Sequence, residues 1–370
     1  MKSPTHPVPS GDRRIAQLLY QALNDSSINA ALVSELRSWE GAGDRSRQQR
    51  IRKAAEVEAS GLIEAWTTDK RESAPHAWFT YHLYHKAPDW IGPLVCDALN
   101  IPYFITEASV STKQANGQWQ MGYEQSLRAI EMAAGIFVLN PKDIPGLKAL
   151  SNELPLITLK PFLDKPESFD PEKRNMERQR FATAHGIDAN DYWMLAVGMM
   201  RKDVKLQSYS HLAHSLKQVE RSDWQLLIVG DGPAKAQVQE YFYPFAEKVH
   251  FLGEQSSDKV LKTMSLSDIF VWPAINEAIG MVALEACATG LPVVAGSTEG
   301  IRQVIVDGYN GLLVKQDQNL EPGIASALEK LMENPALIED MSGNARQHYA
   351  HHHSMSAARD ILFNAISKYA

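Results

Sequence analysis

The stretch NEAIGMVALEACATGLPVV, Asn276 to Val294, holds two glutamates, Glu277 and Glu285, eight positions apart around a glycine. Paired carboxylates suggest acid/base work, so their reach decides the chemistry. Were the whole stretch helical, they would lie on the order of 12 Å apart. Hydrolytic carboxylate pairs sit closer, at about 5 to 9.5 Å, which argues against a shared proton or a shared metal ion. A helix opening near Gly280 gives a different arrangement, with Glu277 in the preceding loop and Glu285 in the second turn. Between them, Ile279, Gly280 and Met281 would present backbone N–H groups at the positive end of the helix. The order in space becomes carboxylate, anion-binding amides, carboxylate. A molecule matching it has hydroxyls at both ends and phosphates in the middle, as in a nucleotide sugar: hexose, diphosphate, ribose. Gly280 would let the backbone come close to the phosphates. The plainer alternative is that Glu277 caps a helix and Glu285 is a solvated helix residue.

The elements that must position these groups alternate in type. Short apolar runs at Trp193–Val197, Gln225–Val229, Val249–Leu252, Asp268–Trp272, Pro292–Ala295 and Gly311–Val314 read as buried parallel strands. Amphipathic stretches lie between them, at Leu206–Val219, Ala234–Tyr243, Asp258–Ser265, Met281–Thr289 and Leu320–Met332. This is the pattern of a doubly wound α/β domain. In the N-terminal half, Ile15–Asn24, Gln48–Trp66, Trp90–Leu99 and Tyr123–Met132 read as helices. Ala77–Tyr81, Pro102–Thr106 and Gly135–Leu139 read as strands, giving a second α/β domain. The proline-containing stretch Pro155–Asp170 reads as the connection. The division is therefore 1–160, 161–350 and a last helix within 351–370. A βα domain opens on a strand, yet MKSPTHPVPSGDRRIAQLL leads into a helix almost at once. That points to a first strand missing from the chain, or to an atypical fold.

The totals fit this division. The chain has 370 residues, enough for two α/β domains, and is 44% apolar. A formal net charge of −7 argues against a general nucleic-acid binder. Cys96 and Cys287 lie in apolar surroundings and read as buried thiols of a reducing compartment. No apolar run reaches the roughly 18 residues of a membrane span and no signal peptide is evident, so the expected location is the cytoplasm.

Beyond the glutamates, ACATGLPVVAG and GIRQVIVDGYNGLLV follow, while QLLIVGDGP, VHFLG and SLSDIFVWPAINE precede them in order. With Glu277–x7–Glu285, this set resembles the family 4 glycosyltransferases of the GT-B fold. The likeness is strong over about Trp193 to Val314 and weak over the N-terminal half. It implies two Rossmann-like domains facing across a cleft, and hexosyl transfer from a nucleotide-diphosphate sugar to a glycan, lipid-linked or small-molecule acceptor. It also implies retention of the anomeric configuration, by front-face attack assisted by the leaving diphosphate, with no cofactor and no metal. By the same resemblance Glu285 holds the ribose, Glu277 the transferred sugar, and Ile279, Gly280 and Met281 the sugar hydroxyls and phosphate. Gly198 belongs to the donor site, where the family commonly carries an Arg at the position of Met199. The cations at hand for the diphosphate are Arg201 and Lys205, with Lys202 in reserve; the alternative is a solvated turn.

The N-terminal half offers less. Gly11 of PSGDRR stands where relatives carry a Gly-rich loop facing the donor phosphate, although Ser10 or Asp12 there can simply cap the helix. His82, with His85 close by, is expected near the end of a strand, where it can position the acceptor. Relatives carry a His after the next strand and this chain has Glu107, which either accepts a proton or sugar hydroxyl or caps a turn. Gly230–Asp231–Gly232–Pro233 reads as a turn into a helix with Pro233 in the first helical position.

Other signals carry less chemistry. His351, His352 and His353 are adjacent, a poor geometry for joint metal ligation on a helix, and are expected to be exposed. No Asp-x-Asp occurs, which fits Arg, Lys and helix amides in the place of a metal ion. The basic run RSRQQRIRK, Arg45 to Lys53, is either a solvated helix face or a contact with the inner face of an anionic membrane. The rival readings are a nucleotide-sugar epimerase or a phosphorylase on the same fold, and a non-catalytic sugar-nucleotide-binding protein.

Overall fold

Apolar runs without alternation fold as strands covered on both faces. Gly135–Val138, Trp224–Val229, Ile269–Trp272 and Val293–Gly296 are buried at every position. A computed structural model describes residues 4–5, 11–24, 28–69, 73–164, 171–277 and 279–369. Ser10 and Pro166 lie outside the described residues. The chain divides into two compact units, Met1–Lys160 with Met355–Ala370, and Pro161–Ser354.

The first unit runs α1 (Gly11–Asn24), α2 (Arg45–Glu64), β1 (Trp78–Leu83), α3 (Gly92–Leu99), β2 (Tyr103–Ala108), α4 (Gln120–Glu131), β3 (Gly135–Val138), α5 (Ile144–Lys148) and β4 (Leu156–Thr158). The strands are parallel in the order β1-β2-β3-β4. On one face Tyr103, Ile105 and Ile136 pack with Ala59 of α2, Val95 of α3 and Ile130 of α4. Elsewhere in the sheet the rings of Phe79 and Phe104 both meet Phe137. The strand β4 lies inside the stretch read from sequence as connection. Three residues are too few to carry a periodicity, and β4 is defined by its pairing to β3.

The second unit runs α6 (Pro171–His185), β5 (Tyr192–Val197), α7 (Val204–Leu216), β6 (Trp224–Val229), α8 (Lys235–Phe242), β7 (Val249–Gly253), α9 (Ser257–Leu266), β8 (Ile269–Trp272), α10 (Met281–Thr289), β9 (Val293–Gly296), α11 (Glu299–Val304), β10 (Gly311–Val314), α12 (Leu320–Met332) and α13 (Pro335–His352). Its sheet is parallel throughout, in the order β10-β9-β8-β5-β6-β7. The chain winds outward from β5 to β7, then returns to β8 on the other side of β5. The gap beyond the carboxyl ends of β5 and β8 is therefore a topological switch point, where ligands of open α/β sheets bind.

Polar contacts tie this unit together where apolar pattern is absent. Arg174 and Arg178 of α6 both reach Asp268, which also accepts a hydrogen bond from the Trp193 amide. His353 is wholly buried, not exposed as its run suggests: its Nδ1 lies 2.6 Å from the Pro161 carbonyl oxygen. His351 and His352 are exposed. After Ser354 the chain returns to the first unit as α14 (Met355–Ile366), which packs against α1.

Candidate functional site

The two loops at the switch point carry most of the residues singled out in the sequence. After β5, the loop from Gly198 leads into α7, capped by Asp203, whose carboxylate accepts from the Lys205 amide at 2.8 Å. After β8, the loop from Pro273 to Gly280 leads into α10. The Lys205 ammonium meets Glu277 Oε2 at 2.6 Å, across 72 positions of sequence. Both side chains are about four-fifths buried, at 19% and 23% exposure. The same ammonium lies 5.3 Å from the ring centroid of Trp272, the last residue of β8.

Helix α10 begins at Met281, with Gly280 as its N-cap in the left-handed conformation (φ 72°, ψ 35°). Gly280 brings no side chain to cap the helix, and among the described residues no side chain accepts from the first-turn amides of α10. Gly280 is favoured by its positive φ, and a Cβ there would approach the flexible tip of Ile301, whose Cδ1 would be 3.1 Å away. Ile279 and Met281 flank it, half-buried, and Glu285 is half-buried in the second turn of α10.

Other candidates fall differently. Arg201 pairs with Asp203 at 3.0 Å and is about half exposed. Met199 is 58% exposed. The Gly198 carbonyl accepts from Tyr209 Oη at 2.6 Å, and a Cβ on Gly198 would stand 3.0 Å from the Trp272 ring. The Gly230–Pro233 turn is a lacing of the two loops beside β5 and β6. A Cβ on Gly230 would fall 1.9 Å from the Gly198 oxygen. The Met200 amide donates to the Asp231 carbonyl, and the Ala234 amide donates to the Met200 carbonyl. Helix α8 starts at Lys235, so Pro233 lies in the turn before it rather than in its first position.

In the first unit, His82 and Glu107 occupy neighbouring places at the ends of β1 and β2. Tyr81 pairs with Thr106 and Leu83 with Ala108, which sets His82 opposite Glu107. His82 Nδ1 and Glu107 Oε2 are 3.3 Å apart. Both residues have positive φ, 63° and 59°. Among the described residues only Asn100, Ala274 and Asn276 share that property without being glycine. Ala274 and Asn276 lie in the loop after β8. Such conformations are unfavourable by about 1 to 3 kcal/mol each and cluster at functional sites.

Two groups not anticipated from sequence join this pair electrostatically. Asp143, just beyond β3, has its carboxyl pushed up to about 6, first by burial and then by the Glu107 charge, with His82 opposing. Burial, followed by the Glu107 and Asp12 carboxylates, pushes the Tyr81 phenol up. Gly11 opens α1 next to Asp12, but a Cβ there would meet nothing within 4 Å, so packing does not demand glycine. The signal that would have found Asp143 is its place after a strand of the same parallel sheet, the location already shared by His82 and Glu107. Among the described residues no group of three or more His, Cys, Asp or Glu side chains is arranged to hold a metal ion.

Comparison with known proteins bears on this geometry. Residues 177–348 match the family model described as Glycosyl transferases group 1. The chain is 31% identical to the alpha-D-kanosaminyltransferase of Streptomyces kanamyceticus over 202 residues, 54% of this chain and 50% of that protein. It is 30% identical to the D-inositol 3-phosphate glycosyltransferase of Corynebacterium diphtheriae over 207 residues, 53% of this chain and 47% of that protein. The chain thus spans about half the length of these curated relatives. Among solved structures, a glycosyltransferase from Rickettsia africae superposes with a TM-score of 0.68 at 16% identity, over 95% of this chain and 87% of that one. Anabaena HepE in complex with UDP superposes at 0.66 with 15% identity, over 84% and 82%. The fold is GT-B, built of two Rossmann-like α/β units.

Proposed function

We propose that the protein moves a hexosyl group from a nucleotide-diphosphate sugar to a hydroxyl of a glycan, lipid-linked or small-molecule acceptor, with retention, as a family 4 glycosyltransferase. One observation supports this most. Lys205 and Glu277, contributed by the loops after β5 and β8, touch at the switch point beside the uncapped start of α10. A cation, a carboxylate and unused helix amides within two adjoining loops suit a diphosphate joined to a polyhydroxylated ring.

In the proposed reaction the bond from the sugar C1 to the β-phosphate oxygen breaks, and its electron pair leaves with the diphosphate. The acceptor oxygen forms the new bond to C1 on the same face and passes its proton to the departing phosphate oxygen. Lys205 and Arg201 stabilise the negative charge as it grows, which is where fixed cations act most strongly. Arg201 must turn from Asp203 to do so. Glu277 exchanges Lys205 for a hexose hydroxyl, Glu285 takes the ribose, and Ile279, Gly280 and Met281 offer amides. On the first unit, Gly11 is assigned to the donor phosphate, and His82 with Glu107 to the acceptor hydroxyl.

Anabaena HepE was solved with UDP and with UDP-glucose, which makes UDP-hexoses the first donors to try. The test is a thermal-shift panel of UDP-, GDP- and ADP-sugars, followed by transfer of labelled hexose. A ligand that binds only the folded chain raises its melting temperature. One nucleotide class should do so in the native chain and fail to in Lys205→Ala and Glu285→Ala. No shift with any of the three classes would overturn the proposal.

A further inference from the structure

The loop after β8 holds its shape against its own residues. Ala274 is wholly buried with φ 56°, and two positions on Asn276 has φ 52°. A left-handed backbone is unfavourable for alanine, which has a Cβ and no polar group to offset the crowding. It persists only where the surroundings over-determine it. Here they do so from both sides. Before Ala274, the Pro273 carbonyl accepts from Gln316 Nε2 at 2.7 Å. After it, the Ile275 amide donates to Ser208 Oγ at 3.2 Å. The Ala274 carbonyl then accepts from the Glu277 amide at 3.2 Å, closing a turn that ends on the residue paired with Lys205.

Both anchors come from outside the loop. Ser208 lies in α7, on the turn after Lys205, and is wholly buried. Its hydroxyl donates to the Val204 carbonyl at 3.0 Å, which leaves a lone pair for the Ile275 amide. Gln316 follows β10, and β9 stands between β10 and β8. Its amide therefore crosses the end of β9 to reach Pro273. The crossing is open because Gly296, the last residue of β9, has no side chain. A Cβ there would fall 1.9 Å from Gln316 Nε2 and 2.0 Å from the Pro273 oxygen. Gln316 is itself exposed, so its contribution is the bond to the loop and not packing in the core.

We propose that Gln316 is a positioning residue for hexosyl transfer: with Ser208 it clamps Ala274 in the left-handed conformation, and so fixes Glu277 against Lys205 and the transferred sugar. It acts through the loop, not on the reacting atoms. The link to the sugar rests on the transferase reading given above; the link to Lys205 does not.

Two measurements test the clamp, and the first needs no donor. Urea denaturation of the native chain, Lys205→Met, Glu277→Gln and the double variant gives the coupling between the two side chains. In a Gln316→Leu background that coupling should fall by about half or more. In a background of Gln318→Leu, at an exposed neighbour, it should stay as it was. Undiminished coupling in Gln316→Leu, or an equal loss in Gln318→Leu, would overturn the proposal whether or not any nucleotide sugar binds.

The second measurement uses the donor class that raises the melting temperature. With Glu277 misplaced and Lys205 released, Gln316→Leu should bind the free nucleoside diphosphate as the native chain does or up to about fivefold tighter. Its kcat for transfer should fall about two- to tenfold, the range of one neutral hydrogen bond. Ser208→Ala should lower kcat in the same way. A merely structural role would weaken nucleotide binding and lower kcat together; that result, or an unchanged kcat in Gln316→Leu, would overturn the proposal. If no donor class binds, the transferase reading fails and the coupling alone decides the clamp.

Discussion

Lys205 Nζ and Glu277 Oε2 stand 2.6 Å apart, each side chain about four-fifths buried. In the proposed site these are the partners of two different ligand parts, the diphosphate and the hexose. Before the donor arrives they satisfy each other, so binding exchanges one ion pair for two ligand contacts. The carboxylate also holds negative charge where the phosphates must come.

The first prediction sets opposite signs on the two partners. Glu277→Gln releases Lys205 and removes a like charge, so free UDP should bind roughly two- to fivefold tighter, as for a pair worth about 0.5–1 kcal/mol. Hexosyl transfer by the same variant should fall. Lys205→Ala should weaken UDP by roughly ten- to a hundredfold, the range of one hydrogen bond to a charged group. Calorimetric titration with UDP measures both. Weakening in both variants would show that the pair does not compete with the nucleotide.

The glycines separate by what surrounds them. Gly230→Ala forces a Cβ onto a backbone oxygen 1.9 Å away at φ 142°, and a loss of about 3 kcal/mol or more is expected, at the severe end for single substitutions. Gly280→Ala meets only the tip of Ile301 at 3.1 Å, and its positive φ should make the loss about 1–2 kcal/mol. Gly11→Ala meets nothing within 4 Å and should leave stability unchanged or raise it by about 0.4–1 kcal/mol. Urea denaturation of the three variants gives the order directly.

Asp143 makes a pH prediction. Its folded value of about 6 lies above the ordinary 3.8, so the fold disfavours the ionised form. Its contribution to stability is greatest below pH 3.8 and is lost as the pH rises through about 6. Asp143→Asn resembles the protonated acid at every pH. The variant should therefore gain on the native chain as pH climbs from 4 to 6 and hold that gain above. A stability difference that stays flat across this window would contradict the burial and charge assigned to Asp143.

The neighbouring carboxylate gives an independent check. In Glu107→Gln the charge that helps hold Asp143 up is gone, so its titration, followed by carbon-13 NMR, should move down toward the ordinary value. No movement would mean that the two carboxyls do not sense each other.

Both cysteines carry free thiols in the core, at 3% and 0% exposure, and burial pushes each up to about 12. A disulfide reagent at neutral pH should label neither in the native chain and both in denaturant.

The amino-acid pattern alone specified the repeating strand and helix of the second unit. Met281–Thr289, Gly311–Val314 and Leu320–Met332 fold over the residues that their apolar periodicity marks. The pattern also placed a glycine at the start of α10 and glutamates on either side of it. These are local properties: a run buried on both faces, a turn residue, a helix start. The pattern did not reveal α6, which is polar around most of its surface and is held by Arg174 reaching Asp268 across 94 positions.

The tertiary structure alone decided which loops meet. Lys205 touches Glu277 because β8 lies beside β5. His82 faces Glu107 because β1 and β2 pair in one register, and the pairing of β2 with β3 brought Asp143, just beyond β3, within electrostatic reach. Gly230 is obligatory because the Gly198 oxygen of the adjacent loop occupies the space of a side chain. Periodicity along a chain records which side of an element is buried. It does not record which element covers it, since strand order is chosen by the packing of all the layers together.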